Sequence, residues 1–142
     1  MAVTVDSLLC VGEKMVTTVK PLVYSCSGCS NVAQLANDVA VLMDREGLAQ
    51  MSCIAGVGGQ VKKLVNIARS GRDILAIDGC RLACVKNTLA LHGVTPKWYL
   101  ELTELGLKKR DGEDCSLADF YRVLSYTYRL PDLIPVKQLP IN

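Results

Sequence analysis

Seven cysteines punctuate this chain: Cys10, Cys26, Cys29, Cys53, Cys80, Cys84 and Cys115. Cys26 and Cys29 stand two residues apart, the commonest spacing for two thiolates on one tetrahedral ion. Cys80 and Cys84 are i and i+4, so they share a face wherever a helix has begun by that point. An all-thiolate tetrahedral set suits zinc or an iron–sulfur cluster; zinc is the expected ion and the cluster the second choice. The lone histidine, His92, precedes Gly93 late on an expected helix and reads as an exposed or helix-ending side chain. A His/Cys catalytic pair therefore has little support.

The rest of the composition says where such thiols would work. The 142 residues fit one domain over 1–142, with a core at 21–128, an N-terminal segment at 1–20 and a C-terminal tail at 129–142. A net charge of +2, with the basic residues scattered, excludes a strong claim on nucleic acid or an anionic membrane. Lys108-Lys109-Arg110 reads as a solvated turn. The first 18 residues lack a charged start followed by a continuous apolar run, and no segment approaches the ~18–20 apolar residues needed to cross a bilayer. A reducing cytoplasmic setting is expected, where clustered cysteines serve metals or catalysis more often than disulfides.

The elements that must position the thiols repeat one pattern: a short apolar strand, a turn bearing Gly or Cys, then an amphipathic helix. Leu22 to Ser25 is the first strand, bounded by Pro21, and Ser30 or Asn31 can cap the helix after it. Val32, Leu35, Ala36, Val39, Ala40, Leu42 and Met43 form its core stripe, and Gly47 ends it. Ala49 to Ala55 reads as a second strand, Gly56-Val57-Gly58-Gly59 as a turn, and Val61, Leu64, Val65 and Ala68 as the next stripe. Asp73 to Ile77 is a third strand, with Asp78-Gly79-Cys80 as its turn and Ala83, Val85, Leu89 and Leu91 on a helix that Gly93 closes. Lys97 to Leu102 makes a fourth strand, and Ser116 caps a last helix, Leu117 to Tyr128. Leu130 to Asn142 holds three prolines and reads as an extended tail. Thr4-Val5 and Met15 to Val19 are expected edge strands. The whole predicts an α/β fold of three layers, α/β/α, with a mostly parallel Rossmann- or flavodoxin-like sheet.

In a parallel sheet all strands end on one side. Cys26 and Cys29 follow the first strand, Cys53 lies near the end of the second, and Cys80 and Cys84 follow the third. These five should gather at the carboxyl edge, where sites form in such sheets. Gly28 and Gly79 let amides approach the sulfurs, and the helix starts expected near Ser30 and Arg81 aim positive ends at them; both effects would favour thiolate. Asp78 would either accept hydrogen bonds from amides near the third helix or tune the site, the structural role being preferred. Cys10 and Cys115 read as small hydrophobes, while Cys53 fits either core or ligand.

Other chemistries are weighed against this one. Cys26 and Cys29 at a strand–helix junction suit thiol redox or sulfur transfer, but that leaves Cys53, Cys80 and Cys84 unexplained. The Gly56–Gly59 run could cradle phosphate, yet it has neither a Walker pattern nor a G-x-G-x-x-G spacing and reads better as a tight turn. The expected partner is a metal ion, with no nucleic acid and no membrane. An exposed edge strand near the N-terminus would allow pairing into a homodimer.

Cys26-Ser27-Gly28-Cys29-Ser30, Cys53-Ile54-Ala55-Gly56-Val57-Gly58-Gly59 and Ile77-Asp78-Gly79-Cys80 with Cys84 together resemble the DGC-domain family of zinc-binding proteins. Leu102 to Lys108 resembles that family's usual ending. The resemblance spans Pro21 to Lys108 and implies a cluster of chelating cysteines, matched best by Cys26, Cys53, Cys80 and Cys84. It implies no reaction. The fourth ligand stays open: the resemblance points to Cys53, the two-residue spacing to Cys29.

Overall fold

The structure is a computed structural model that describes residues 8–11, 14–17 and 19–133. The first element is a hairpin. β1 (Leu8–Val11) pairs antiparallel with β2 (Lys14–Thr17), Leu8 opposite Thr17 and Val11 opposite Lys14. This hairpin forms a sheet of its own, so the expected edge strand at Met15 to Val19 does not extend the main sheet. Thr4-Val5 lies outside the described residues.

The main sheet has four strands, all parallel: β3 (Leu22–Ser25), β4 (Gln50–Met51), β5 (Ile74–Asp78) and β6 (Trp98–Glu101), in spatial order β4-β3-β5-β6. This is the flavodoxin-like winding order, with the reversal of direction between β3 and β5. β3 and β5 are buried along both faces, and apolar up to Ser25 and Asp78 at their carboxyl ends, as suits central parallel strands. Helices α1 (Asn31–Arg45), α2 (Ile54–Gly58), α3 (Lys62–Ala68), α4 (Cys84–Ala90) and α5 (Leu117–Tyr128) connect or follow them. α1 packs on β3, β4 and β5 with α5 beside it, while α4 packs on β5 with α2 alongside. Right-handed crossovers put these two groups on opposite faces, which makes the three layers.

Local chemistry sets the element ends. The Ser30 hydroxyl accepts the Ala33 N–H at 3.2 Å and starts α1. Ser116 and Asp119 form a reciprocal capping box that starts α5. Leu22, Tyr24, Met43, Leu75, Ile77 and Leu89 are fully buried between the layers. Past α5, Leu133 is buried and the Pro131 carbonyl accepts the Trp98 indole N–H at 2.7 Å, so residues 129–133 pack on the domain. Among the described residues no helix is long and apolar enough to cross a membrane.

Three expectations need correction. The second strand is only Gln50–Met51, because β4 is an edge strand and the chain turns into a helix at once. The Gly56–Gly59 turn is in fact mostly helix α2: Cys53 caps it, its sulfur accepting the Gly56 N–H at 3.3 Å. The helix after β5 begins at Cys84, later than Arg81, and Leu91 lies exposed beyond its last turn. Ala83 adopts a left-handed conformation just before that start, so Cys80 and Cys84 do not share a helical face.

Candidate metal centre

Cys26 follows β3 and Gly79 follows β5, on the two sides of the reversal in strand order. The buried Gly79 N–H donates to the Cys26 sulfur at 3.1 Å and joins the two strand ends. Gly79 permits this because it stands against the first turn of α1. A Cβ at this position would lie 2.7 Å from the Val32 carbonyl carbon and 2.8 Å from the Ala33 nitrogen. The aspartate of the Asp-Gly-Cys run has equal reason to be there. Asp78 is buried, and its carboxylate accepts the Val85 N–H at 2.9 Å, the Lys86 N–H at 3.1 Å and the Tyr99 hydroxyl at 3.1 Å. It thus caps α4 from the strand below, the structural one of its two expected roles.

Burial pushes the Cys26 thiol up to about 11; the Gly79 N–H opposes the shift, while Asp78, Cys84 and Cys80 add to it. Burial thus acts against the expected preference for thiolate at this residue, and the Gly79 N–H acts for it. Loss of water outweighs one hydrogen bond from an amide. The same influences place Cys80 and Cys84 within electrostatic range of Cys26. Cys80 is half-buried and Cys84 exposed.

The other two expected ligands face elsewhere. Cys29 is exposed, its thiol 3.8 Å from the Asp111 carboxylate. Cys53 is exposed and occupied with capping α2. Gly28 has a φ of +150°, a conformation that side-chain-bearing residues avoid, and its carbonyl accepts the Gln34 side-chain N–H at 2.7 Å. Cys115 is half-buried away from the sheet edge, and burial raises its pKa. The Cys10 side chain lies outside the described part of the structure. His92 is half-buried, with Nε2 3.0 Å from the Val57 carbonyl oxygen. Among the described residues no three His, Cys, Asp or Glu side chains are grouped tightly enough to hold a metal ion.

The loop after β6 is a neighbour that sequence alone did not reveal. The Asn31 side chain donates to the Lys108 carbonyl at 2.9 Å and accepts the Arg110 N–H at 2.7 Å, while the Asn31 N–H donates to the Arg110 carbonyl at 2.9 Å. This clasp brings the Lys109 ammonium to 3.6 Å from the Cys80 sulfur. Lys108-Lys109-Arg110 is solvated as expected, but it is also part of the thiol surroundings.

A family model described as the DGC domain matches residues 22–126. The chain belongs to the DGC domain family. Its DGC domain thus spans all four strands of the main sheet and most of α5, and so includes every thiol of the sheet edge. A relative in Pseudomonas aeruginosa, the "Anaerobic and virulence modulator AnvM", is 64% identical over 110 residues, covering 78% of this chain and 84% of the relative. No solved structure matches this DGC domain. Cys26, Cys53, Cys80 and Cys84 all fall inside the matched DGC domain, as does Cys29.

Proposed function

We propose that this protein is a cytoplasmic regulatory protein whose thiols at the sheet edge capture a soft metal ion, zinc foremost. Cys26, Cys80 and Cys84 are the principal ligands, and Cys29 or Cys53 completes the set. The observation that carries this reading is the pinned position of Cys26 at the strand reversal, with Cys80 and Cys84 close enough to influence its ionisation. Thiolate donors suit zinc, whereas oxygen-preferring ions would find few partners among them.

The donor chemistry fits the ion, but the thiols stand apart: the sulfurs must close together when it arrives. Residues 80–83 are the natural part to move, since Arg81 and Leu82 are exposed and helix α4 starts only at Cys84. A site that closes on its ion suits reversible capture better than a permanent structural role, because the domain core is complete without it. The modulator named among the relatives favours a regulatory over a metabolic role. The competing reading, thiol redox at Cys26 and Cys29, leaves Cys53, Cys80 and Cys84 without a role.

Elemental analysis of anaerobically purified protein, with Cys80→Ser and Cys84→Ser beside it, tests the reading. Zinc near one equivalent in the parent and sharply reduced in both variants is expected. Unchanged zinc in both would end the assignment, as would a thiol titre that chelation leaves unaltered.

A further inference from the structure

We propose that Cys80 is a site of mixed-disulfide formation with anionic low-molecular-weight disulfides, drawn in by a basic pocket at its side. The proposal does not depend on metal capture. Cys80 forms part of the wall of a cavity of about 470 Å³, within the range that holds small organic ligands. Arg81, Lys108 and Lys109 line the same cavity, against a single carboxylate, Glu104. Among the described residues none of these three cations is in an ion pair. Lys109 is the one that reaches the sulfur, at 3.6 Å. Leu82, 66% exposed, and Leu107 add apolar wall for the carbon skeleton of a ligand.

The other described thiols lack this combination. Cys29 faces the Asp111 carboxylate, which repels anions, and Cys26 is buried. The Cys53 sulfur accepts an amide of α2. Among the described cysteines, Cys80 alone pairs partial exposure with a cation-lined cavity large enough for the incoming molecule.

The chemistry is thiol–disulfide exchange. The Cys80 thiolate attacks one sulfur of the small disulfide, and the disulfide's S–S bond breaks as the new S–S bond to Cys80 forms. The other half departs as a thiolate and takes a proton from water. Two electrons pass from Cys80 to the departing thiol, so the small disulfide is itself the oxidant. The three cations concentrate anionic disulfides near the sulfur.

The test uses the full chain, reduced and stripped of metal, so that a failed zinc assignment leaves it unaffected. Glutathione disulfide (net anionic), 2-hydroxyethyl disulfide (neutral) and cystamine (cationic) are added separately, and each cysteine is followed by peptide-resolved mass spectrometry. Glutathione disulfide should label Cys80 first, about tenfold faster relative to the neutral reagent than it labels Cys29. That preference should shrink as salt is raised. Lys108→Glu with Lys109→Glu should abolish it, while Cys80→Ser removes that label alone. The salt series on unaltered protein remains decisive even if the double variant misfolds. Even labelling of Cys29, Cys53, Cys80 and Cys84, or cystamine matching glutathione disulfide at Cys80, would overturn the proposal.

Discussion

Replacing Gly79 by alanine places a methyl group where the α1 backbone already stands. The added carbon would lie 2.7 Å from the Val32 carbonyl carbon, 2.8 Å from the Ala33 nitrogen and 2.9 Å from the Val32 oxygen. Favourable carbon contacts begin near about 3.5 Å, so the β5–α4 turn and the first turn of α1 must separate by roughly 0.8 Å. Both sides of the contact are main chain, so no side chain can swing aside. Overpacking of this kind costs about 1–3 kcal/mol. The shift also loosens the Ser30 cap, worth about 1 kcal/mol, and pulls the Gly79 N–H from the Cys26 sulfur. A total loss of about 2–4 kcal/mol is expected. Urea unfolding followed through the single tryptophan, Trp98, measures it, and maleimide labelling of Cys26 under native conditions reads the local opening. The midpoint should fall at constant slope and Cys26 should label faster. A variant within about 0.5 kcal/mol of the parent, with Cys26 still protected, would refute the close approach.

Asp78→Ala leaves two α4 amides and the Tyr99 hydroxyl without their acceptor, and a loss of about 2–4 kcal/mol in urea unfolding is expected. Burial first, and the Asp78 carboxylate second, hold the Tyr99 phenol above its ordinary range, so Asp78→Asn should bring its ultraviolet titration down towards that range. Because the folded value lies above the unfolded one, the folded state keeps this proton more tightly. Its contribution is complete below the unfolded value near ~10 and is lost as pH rises beyond it. Tyr99→Phe should therefore flatten the alkaline fall in stability measured from pH-dependent urea midpoints. Ser116→Ala removes one half of the α5 capping box and should lower stability by about 1 kcal/mol in the same assay.

Much of the frame was legible because its signals are local. Pro21, the apolar run Leu22–Ser25 and the Ser30 cap delimit β3 and the start of α1 within a few residues of each other. Ser116 as a cap sets the start of α5, which runs over Leu117–Tyr128 as expected. The parallel sheet and its shared carboxyl edge follow from the alternation of strands and helices, whereas the order of the strands does not. Glycine content misled at residues 56–59, because a sulfur took the capping role usually filled by an oxygen. The start of α4 was displaced because Asp78 caps it from within a strand, across a left-handed Ala83. Lys109 was illegible as a thiol neighbour: its placement depends on Asn31, 79 positions from the Arg110 amide it accepts, and no local pattern encodes that pairing.

The triple attachment between Asn31 and the stretch around Arg110 has a mechanical consequence. It buckles the opening of the first long helix to the strap that follows the last strand, with an antiparallel bridge from Ser30 to Asp111 stiffening the joint. Gly79 leans on that same helix opening, through backbone and without slack. Anything that tugs the sulfur end of the sheet is therefore passed to the strap, and the lysine it carries travels with the thiols instead of drifting free of them.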